Sequence, residues 1–328
     1  MRFLSLASIL FCLLAGPVQA ANVVDFGADP TCGTDSTQAI HDAIASTTHS
    51  VSFGFNTAGD VYFPPGNYCV SSINATGFSG LHLRATHGTV IIRGNFQTTP
   101  LPIIDASGSS SITISGIIVA SQAAPYATTG ILLSDTAQGG RCNKNTLRDV
   151  GSLGLFHHAP LYIRGCTDNL IEGSAFQQDN ASGPTLFIGS VNPYATPSAY
   201  QTLAPQWTAQ AAGENTFAQC EFHSQKAGGN GPVTWLYNTY SVRFIGGNSD
   251  ANGPNAVHVR TSGDVRSIIW MGTLFYSEGG SPASAVIDNA GYLESLVLLG
   301  VNYSQHNGTS GLVLSGNPVV TSALVGNL

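Results

Sequence analysis

"LIEGSAF", residues 170–176, is a short run of apolar and small residues broken by one glycine, and the chain repeats its pattern. "RFIGGNS" (243–249), "IWMGTLF" (269–275), "VLLGVNY" (297–303) and "ALVGN" (323–327) align with it so that Gly173, Gly246, Gly272, Gly300 and Gly326 form one column. The last three steps are 26, 28 and 26 residues. A second β-rich run accompanies each coil: "PLYIRG" (160–165), "TLFIGS" (185–190), "VTWLYN" (233–238), "AVHVRT" (256–261), "AVIDNA" (285–290) and "GLVLSG" (311–316). Short strands at this period, joined by turns too short for crossover helices, predict a solenoid of parallel strands rather than a sandwich of hairpins. One coil cannot bury its own apolar face; stacking does it.

Composition agrees. Gly is abundant at 38 residues and charged residues make up only 9%, a balance expected of many short strands and tight turns rather than of amphipathic helices. The formal net charge of -7, with no Lys/Arg cluster, argues against nucleic acid or an anionic membrane as partner. Met1-Arg2, the apolar run from Phe3 to Leu14 and the small-residue end "GPVQAA" have the layout of a secretory signal cleaved near Ala20 or Ala21. A single domain over 21–328, secreted or periplasmic, is expected after residues 1–20 are removed.

The first helical pattern follows at once. In "NVVDFGADPTCGTDSTQAIHDAIA" (22–45), Asp35 or Ser36 can cap a helix that puts Ala39, Ile40, Ala43 and Ile44 on one face and turns His41 away. The end of a stack exposes an apolar cross-section and unpaired strands, so a cap over about 22–50 that covers both is expected there.

With "GDVYFPPGNYCVSS" (59–72) behind it, this stretch resembles the opening segment of the pectate-lyase-like superfamily, which includes polygalacturonases, rhamnogalacturonase-like proteins, polysaccharide lyases, epimerases and phage tailspikes. The resemblance implies an all-β fold, a right-handed parallel β-helix with a short N-terminal capping helix. It says little about the reaction, because this scaffold carries different chemistries or none. The Asn-Thr-Asp, Asp-Asp, Gly-His-Gly and Arg-Ile-Lys signatures of polygalacturonases are missing; "GLFHHAP" (154–160) and "GNSD" (247–250) do not replace them. Acidic residues stand as singles, so no Ca²⁺ cluster is evident, although oxygens from neighbouring coils leave Ca²⁺ open as an alternative; His157-His158 lacks a third ligand at metal spacing, and no cofactor is expected.

Reading the middle outward position of each second strand gives Tyr162, Phe187, Trp235, His258, Ile287 and Val313, with Arg164, Tyr237 and Arg260 two positions on. Aromatic rings stack on pyranose faces, and guanidinium groups grip uronate carboxylates or hydroxyls, so this row is the candidate sugar-binding stripe. A register one residue different would turn it into core. The long excursion at about 189–213, carrying Trp207, interrupts the rhythm and is expected to wall a groove, shield one side or mediate contact between copies.

Three residues past the aromatic at each turn stand Asp179, Gln225, Glu278 and His306, with Asp250 at a similar place and Lys226 adjoining. Hydrolysis of a glycosidic bond needs two carboxylates, for which Asp250, Glu278 and Asp179 are candidates. β-Elimination needs a base and a cation for the uronate, for which Lys226, His223 and Arg260 are candidates. Each of these residues is also an ordinary occupant of a solvated turn.

Five cysteines follow the signal. Cys142 and Cys166 each precede an Asn by three residues, and equivalent places on stacked coils suit a disulfide. Cys32 and Cys69 are the second candidate pair, leaving Cys220 as a buried thiol. Asn145, Asn169 and Asn215 share a strand-entrance position and predict a hydrogen-bonded ladder. The expected function is binding and cleavage of an acidic, uronate-containing polysaccharide by lyase or glycoside-hydrolase chemistry. A non-catalytic glycan-binding or adhesin-like β-helix and a polysaccharide epimerase are the alternatives.

Overall fold

The computed structural model describes the backbone over residues 20–50, 56–122, 127–135, 142–179, 183–189, 212–224, 231–252, 257–278, 285–289, 292–305, 313–316 and 319–326. Side chains are described within these ranges as far as Asn302, other than those of Ser50, Asn252, Ser277, Glu278 and 285–289. The expected signal, the body of the 189–213 excursion with Trp207, and Lys226 lie outside the described residues.

Each coil contains three strands. Thr146–Arg148, Gly151–Gly154 and Ala159–Arg164 follow one another, and the next coil lays Leu170–Glu172, Ala175–Gln178 and Leu186–Gly189 on them in parallel, in the same order. This is a parallel β-helix. The second strands form a ten-stranded sheet, while the first and third join in an 18-stranded sheet because Pro232–Ile245 and Val257–Met271 round the corner without a break. Two strands per coil were expected; "LIEGSAF" is in fact two strands with a corner between them.

That corner explains the glycine column. The register puts Ser115, Arg148, Glu172, Ala218, Ile245, Met271 and Leu299 in one row. The residue after each, Gly116, Asp149, Gly173, Gln219, Gly246, Gly272 and Gly300, has φ between 52° and 71°, the left-handed region that glycine enters without steric cost. At Gly116 a Cβ would also stand 2.3 Å from the Ala85 carbonyl oxygen. Gly326 is a correction: it pairs with Leu299, one residue ahead of the column.

Inside, equivalent residues stack coil on coil. Leu83, Ile114, Leu147, Ile171, Phe217, Phe244, Trp270 and Leu298 form one buried row. The ring planes of Phe217, Phe244 and Trp270 are nearly parallel, with centroids 5.0 and 4.4 Å apart. The asparagine ladder runs beside them: the Asn145 backbone N–H donates to Asn169 Oδ1 (3.0 Å), and Asn169 Nδ2 donates to Asn215 Oδ1 (2.7 Å). In the following coil the register partner of Asn215 is Val242, and the ladder ends.

The helix spans Thr37–Ser46 with Ile40, Ala43 and Ile44 buried. Asp35 Oδ1 accepts the Thr37 N–H at 2.9 Å, and the apolar face packs on the strands Ala21–Asn22 and Ile73–Asn74. His41 does not point into open solvent as expected: its Nε2 accepts the Asn74 N–H at 2.9 Å. Among the described residues no helix is long and apolar enough to cross a membrane.

Disulfides join Cys32 to Cys69 and Cys142 to Cys166, and Cys220 is a buried free thiol. Two bridges fit an oxidising compartment. Cys142→Ser is expected to cost about 3 kcal/mol of unfolding free energy, the chain-entropy value for a loop of this size, read as a lowered urea midpoint. An unchanged midpoint would mean that the bridge contributes nothing.

Candidate functional site

The aromatic row exists, but it is not an open platform. Tyr162, Phe187 and Trp235 are in register on successive coils, outside the main core, and their rings meet edge to face at 4.8 and 5.8 Å. They are 6%, 0% and 6% exposed and, with Leu132 and Ala159, form a separate apolar cluster against which Tyr237 packs. Rings packed edge against face and almost wholly buried leave a sugar no open face to lie on.

The two arginines edge this cluster. Arg164 is buried beside Asp135, whose carboxyl burial pushes up while the guanidinium pulls it down. Arg260, not His258, is the register partner of Trp235, and its guanidinium carbon lies 5.5 Å from that ring. His258 is a correction. It falls in register with Val233, between the pairs Pro232–Val257 and Thr234–Val259, and faces inward with its Nδ1 3.0 Å from Ser249 Oγ and its ring 5.0 Å from Phe275. Burial lowers its pKa to about 3. The alternation in "VHV" hides this shift, since a hydroxyl inside the coil is what lets an imidazole occupy a core position. Ile287 and Val313 also fall outside the row: Asp288 and Ser315 follow Arg260.

The polar face lies on the ten-stranded sheet. Phe222 and Ser224 point inward from the strand Glu221–Ser224, which leaves Glu221 and His223 outside. Register then lines up Gln177, His223, Asp250 and Tyr276 on four successive coils. His223 Nδ1 is 3.3 Å from Asp250 Oδ2, and its Nε2 is 3.3 Å from Glu221 Oε2. One imidazole is thus held between two carboxylates from neighbouring strands. Gln177 Nε2 donates to Asp179 Oδ1 at 2.9 Å, bringing a third carboxylate to the same face. Asp250 Oδ1 is buried, and no described group hydrogen-bonds it.

Of the sequence candidates, His223, Asp250 and Asp179 share this face. Asp250 does not stand in the column of Asp179 and Glu278: it pairs with Tyr276, whereas Glu278 pairs with Asn252, two residues further along. The side chain of Glu278 lies outside the described residues. Sequence reading missed Glu221, Gln177 and Tyr276. The signal was available one position past the inward Phe176, Phe222 and Phe275, instead of three.

The hydrogen bond to Asp250, with that to Glu221, raises the His223 pKa above its ordinary value against the opposing effect of burial. A raised folded-state pKa stabilises the protein fully below the unfolded value of about 6.5 and loses that contribution as pH rises through the folded pKa. His223→Gln is therefore expected to destabilise the protein most below about pH 6.5, and the difference should fade at alkaline pH. A difference in urea midpoint that does not change with pH would contradict the pairing. Among the described residues no three His, Cys, Asp or Glu side chains are arranged to hold a metal ion.

Comparison with known proteins agrees with this architecture. Residues 20–147 match the family model described as rhamnogalacturonase A/epimerase, pectate lyase-like. No curated protein matches the chain. Among solved structures, ORF18 of Geobacillus virus E2 is similar with a TM-score of 0.59 and 18% identity, over 95% of this chain and 61% of that one. PfbA, a surface adhesin of Streptococcus pneumoniae, gives 0.51 and 14%, over 88% and 90%. Tailspike protein 2 of an Escherichia coli O157:H7 bacteriophage gives 0.51 and 13%, over 88% and 38%. The chain thus spans under two thirds of the two viral proteins. At such identities the likeness is one of fold.

Proposed function

We propose that this β-helix binds a polysaccharide across its coils at the Gln177–His223–Asp250–Tyr276 row and cleaves it by glycoside-hydrolase chemistry. The observation that carries this reading is the His223 imidazole held between Asp250 and Glu221 on an outward sheet face. Glycosidic hydrolysis needs one carboxyl group to protonate the leaving oxygen and a second to act on the other side of the sugar. Asp250, with one oxygen free of hydrogen bonds from described groups, is the proposed proton-transfer group. His223 sets its orientation, and Glu221 or Asp179 is the second carboxylate. A row of four coils, each roughly 4.8 Å from the next, is long enough for about three sugar units.

Elimination is the less favoured chemistry. It requires positive charge to neutralise a uronate, and the described face presents three carboxylates and one imidazole. Of the cations foreseen for a uronate, Arg260 lies on the other sheet beside the Trp235 ring and Lys226 lies outside the described residues. The family match over residues 20–147 and the two disulfides support a carbohydrate-active protein of an oxidising compartment.

The test is purified full-length protein on a panel of uronate-containing and neutral polysaccharides, followed by reducing sugar and by absorbance of unsaturated ends. New reducing ends without absorbance support hydrolysis. Equal growth of both signals would replace it with elimination, and saturable binding without products would replace it with a non-catalytic glycan-binding role.

A further inference from the structure

A second constellation lies on another face, in the first coils, far in sequence from His223. Asp60, His82 and Thr113 are register partners on the strands Asp60–Phe63, His82–Ala85 and Thr113–Ser115, and two residues on Tyr62, Arg84 and Ser115 are partners in turn. The six form an outward patch, two positions wide and three coils tall. Within it His82 Nδ1 is 3.2 Å from Asp60 Oδ1, and His82 Nε2 is 2.9 Å from Ser115 Oγ.

With Nδ1 facing the Asp60 carboxylate at 3.2 Å, a neutral imidazole that carries its hydrogen on that side offers the Nε2 lone pair to the Ser115 hydroxyl, which donates. Asp60 is itself held in place: Arg84 Nε donates to its other oxygen at 3.2 Å, and the same guanidinium lies 5.2 Å from the Tyr62 ring centre. On the next coil the partner of Ser115 is Arg148, paired with Glu172. Ser115 therefore stands in its row between two guanidinium-bearing residues.

We propose that Asp60, His82 and Ser115 form a nucleophilic serine site for short-chain carboxylic esters. Ser115 Oγ attacks the ester carbonyl carbon while its proton passes to His82 Nε2. The C–O bond to the alcohol breaks, and that proton leaves with the alcohol. Water then attacks the acyl-serine, giving its proton to the same nitrogen, and the acid departs as the serine is restored. Asp60 is a positioning residue that holds the productive tautomer and stabilises the imidazolium. The guanidinium groups of Arg84 and Arg148 supply positive charge for the oxyanion. The serine sits on the outward face of the strand Thr113–Ser115, a placement that suits an acetyl-sized acyl group.

The full-length protein is treated with a fluorophosphonate probe, and the modified serine is located by peptide mass spectrometry; hydrolysis of 4-nitrophenyl acetate is measured in parallel. Ser115 is expected to be the modified residue, with at least about 30-fold slower labelling in H82Q and at least about 10-fold slower ester hydrolysis in S115A, modest values because the patch is open to water. D60N should lower both rates and shift their pH dependence. Labelling of Ser115 no faster than that of other surface serines, or ester hydrolysis in S115A within twofold of the unaltered protein, overturns the proposal. Because labelling is read on the unaltered protein, the result does not depend on whether a variant folds.

Discussion

Replacing Asp250 by Asn is expected to lower the rate of glycosidic cleavage by at least about 100-fold, the scale on which positioned proton transfer contributes to catalysis. The amide is nearly the same size and can still meet His223 Nδ1 across 3.3 Å, so the fold should tolerate it. What it cannot do is take up and release a proton, and its reversed polarity at one of the two atoms disturbs the imidazole held opposite Glu221. His223→Gln is expected to fall by a smaller factor, about tenfold, if the ring orients Asp250 rather than touching the bond that breaks. Glu221 is mostly solvent-exposed, so its attraction to the ring is screened by water, and Glu221→Gln separates the two carboxylate roles. Reducing-sugar release by purified variants, with circular dichroism to show unchanged folding, reads all three. Asp250→Asn at a rate within threefold of the unaltered protein would remove Asp250 from the chemistry.

Asn169→Ala is expected to cost about 2–5 kcal/mol of unfolding free energy, more than the average core truncation of its size. The side chain is fully buried and serves two neighbours, accepting from the Asn145 N–H and donating to Asn215 Oδ1. Alanine orphans the Asn145 N–H, at about 1–3 kcal/mol, and takes from Asn215 Oδ1 its shorter donor, at about 0.5–1.5 kcal/mol more, leaving it the backbone N–H of residue 169 at 3.4 Å. Urea unfolding followed by far-ultraviolet circular dichroism measures it. A cost below about 1 kcal/mol would show that the coils close ranks without the ladder.

How much of this was legible follows from which interactions repeat. The parallel stack, the Cys142–Cys166 disulfide and the asparagine ladder rest on equivalent positions of successive coils, and a period in the text is enough to find them; Cys32–Cys69 ties the entry segment to the first coil across a shifted register and shows no such period. Three strands per coil were harder to see, because Gly173 or Gly246 marks a left-handed corner with no change of hydrophobic pattern across it. The aromatic row was found in its first three members, yet whether a ring faces sugar or another ring depends on what covers it, and covering groups are not periodic. His258 was misplaced because Ser249, nine residues away, gives its nitrogen a partner inside the coil, an exchange of polar groups that alternation cannot reveal. The His223 face was half legible: His223, Asp250 and Asp179 were named and do share it, but Asp250 was set in the wrong column, and Glu221, which meets the far side of the same ring, was passed over.

Both covalent ties bind neighbouring coils in the first half of the chain, and Cys220 has no bonded mate. A stack held only by contacts between adjacent layers comes apart layer by layer, so the riveted section should outlast the rest. Mild heating with a protease would then trim the molecule directionally, leaving a resistant fragment that reaches to about Cys166. Reductant should abolish that asymmetry, and the chain would unravel from either side.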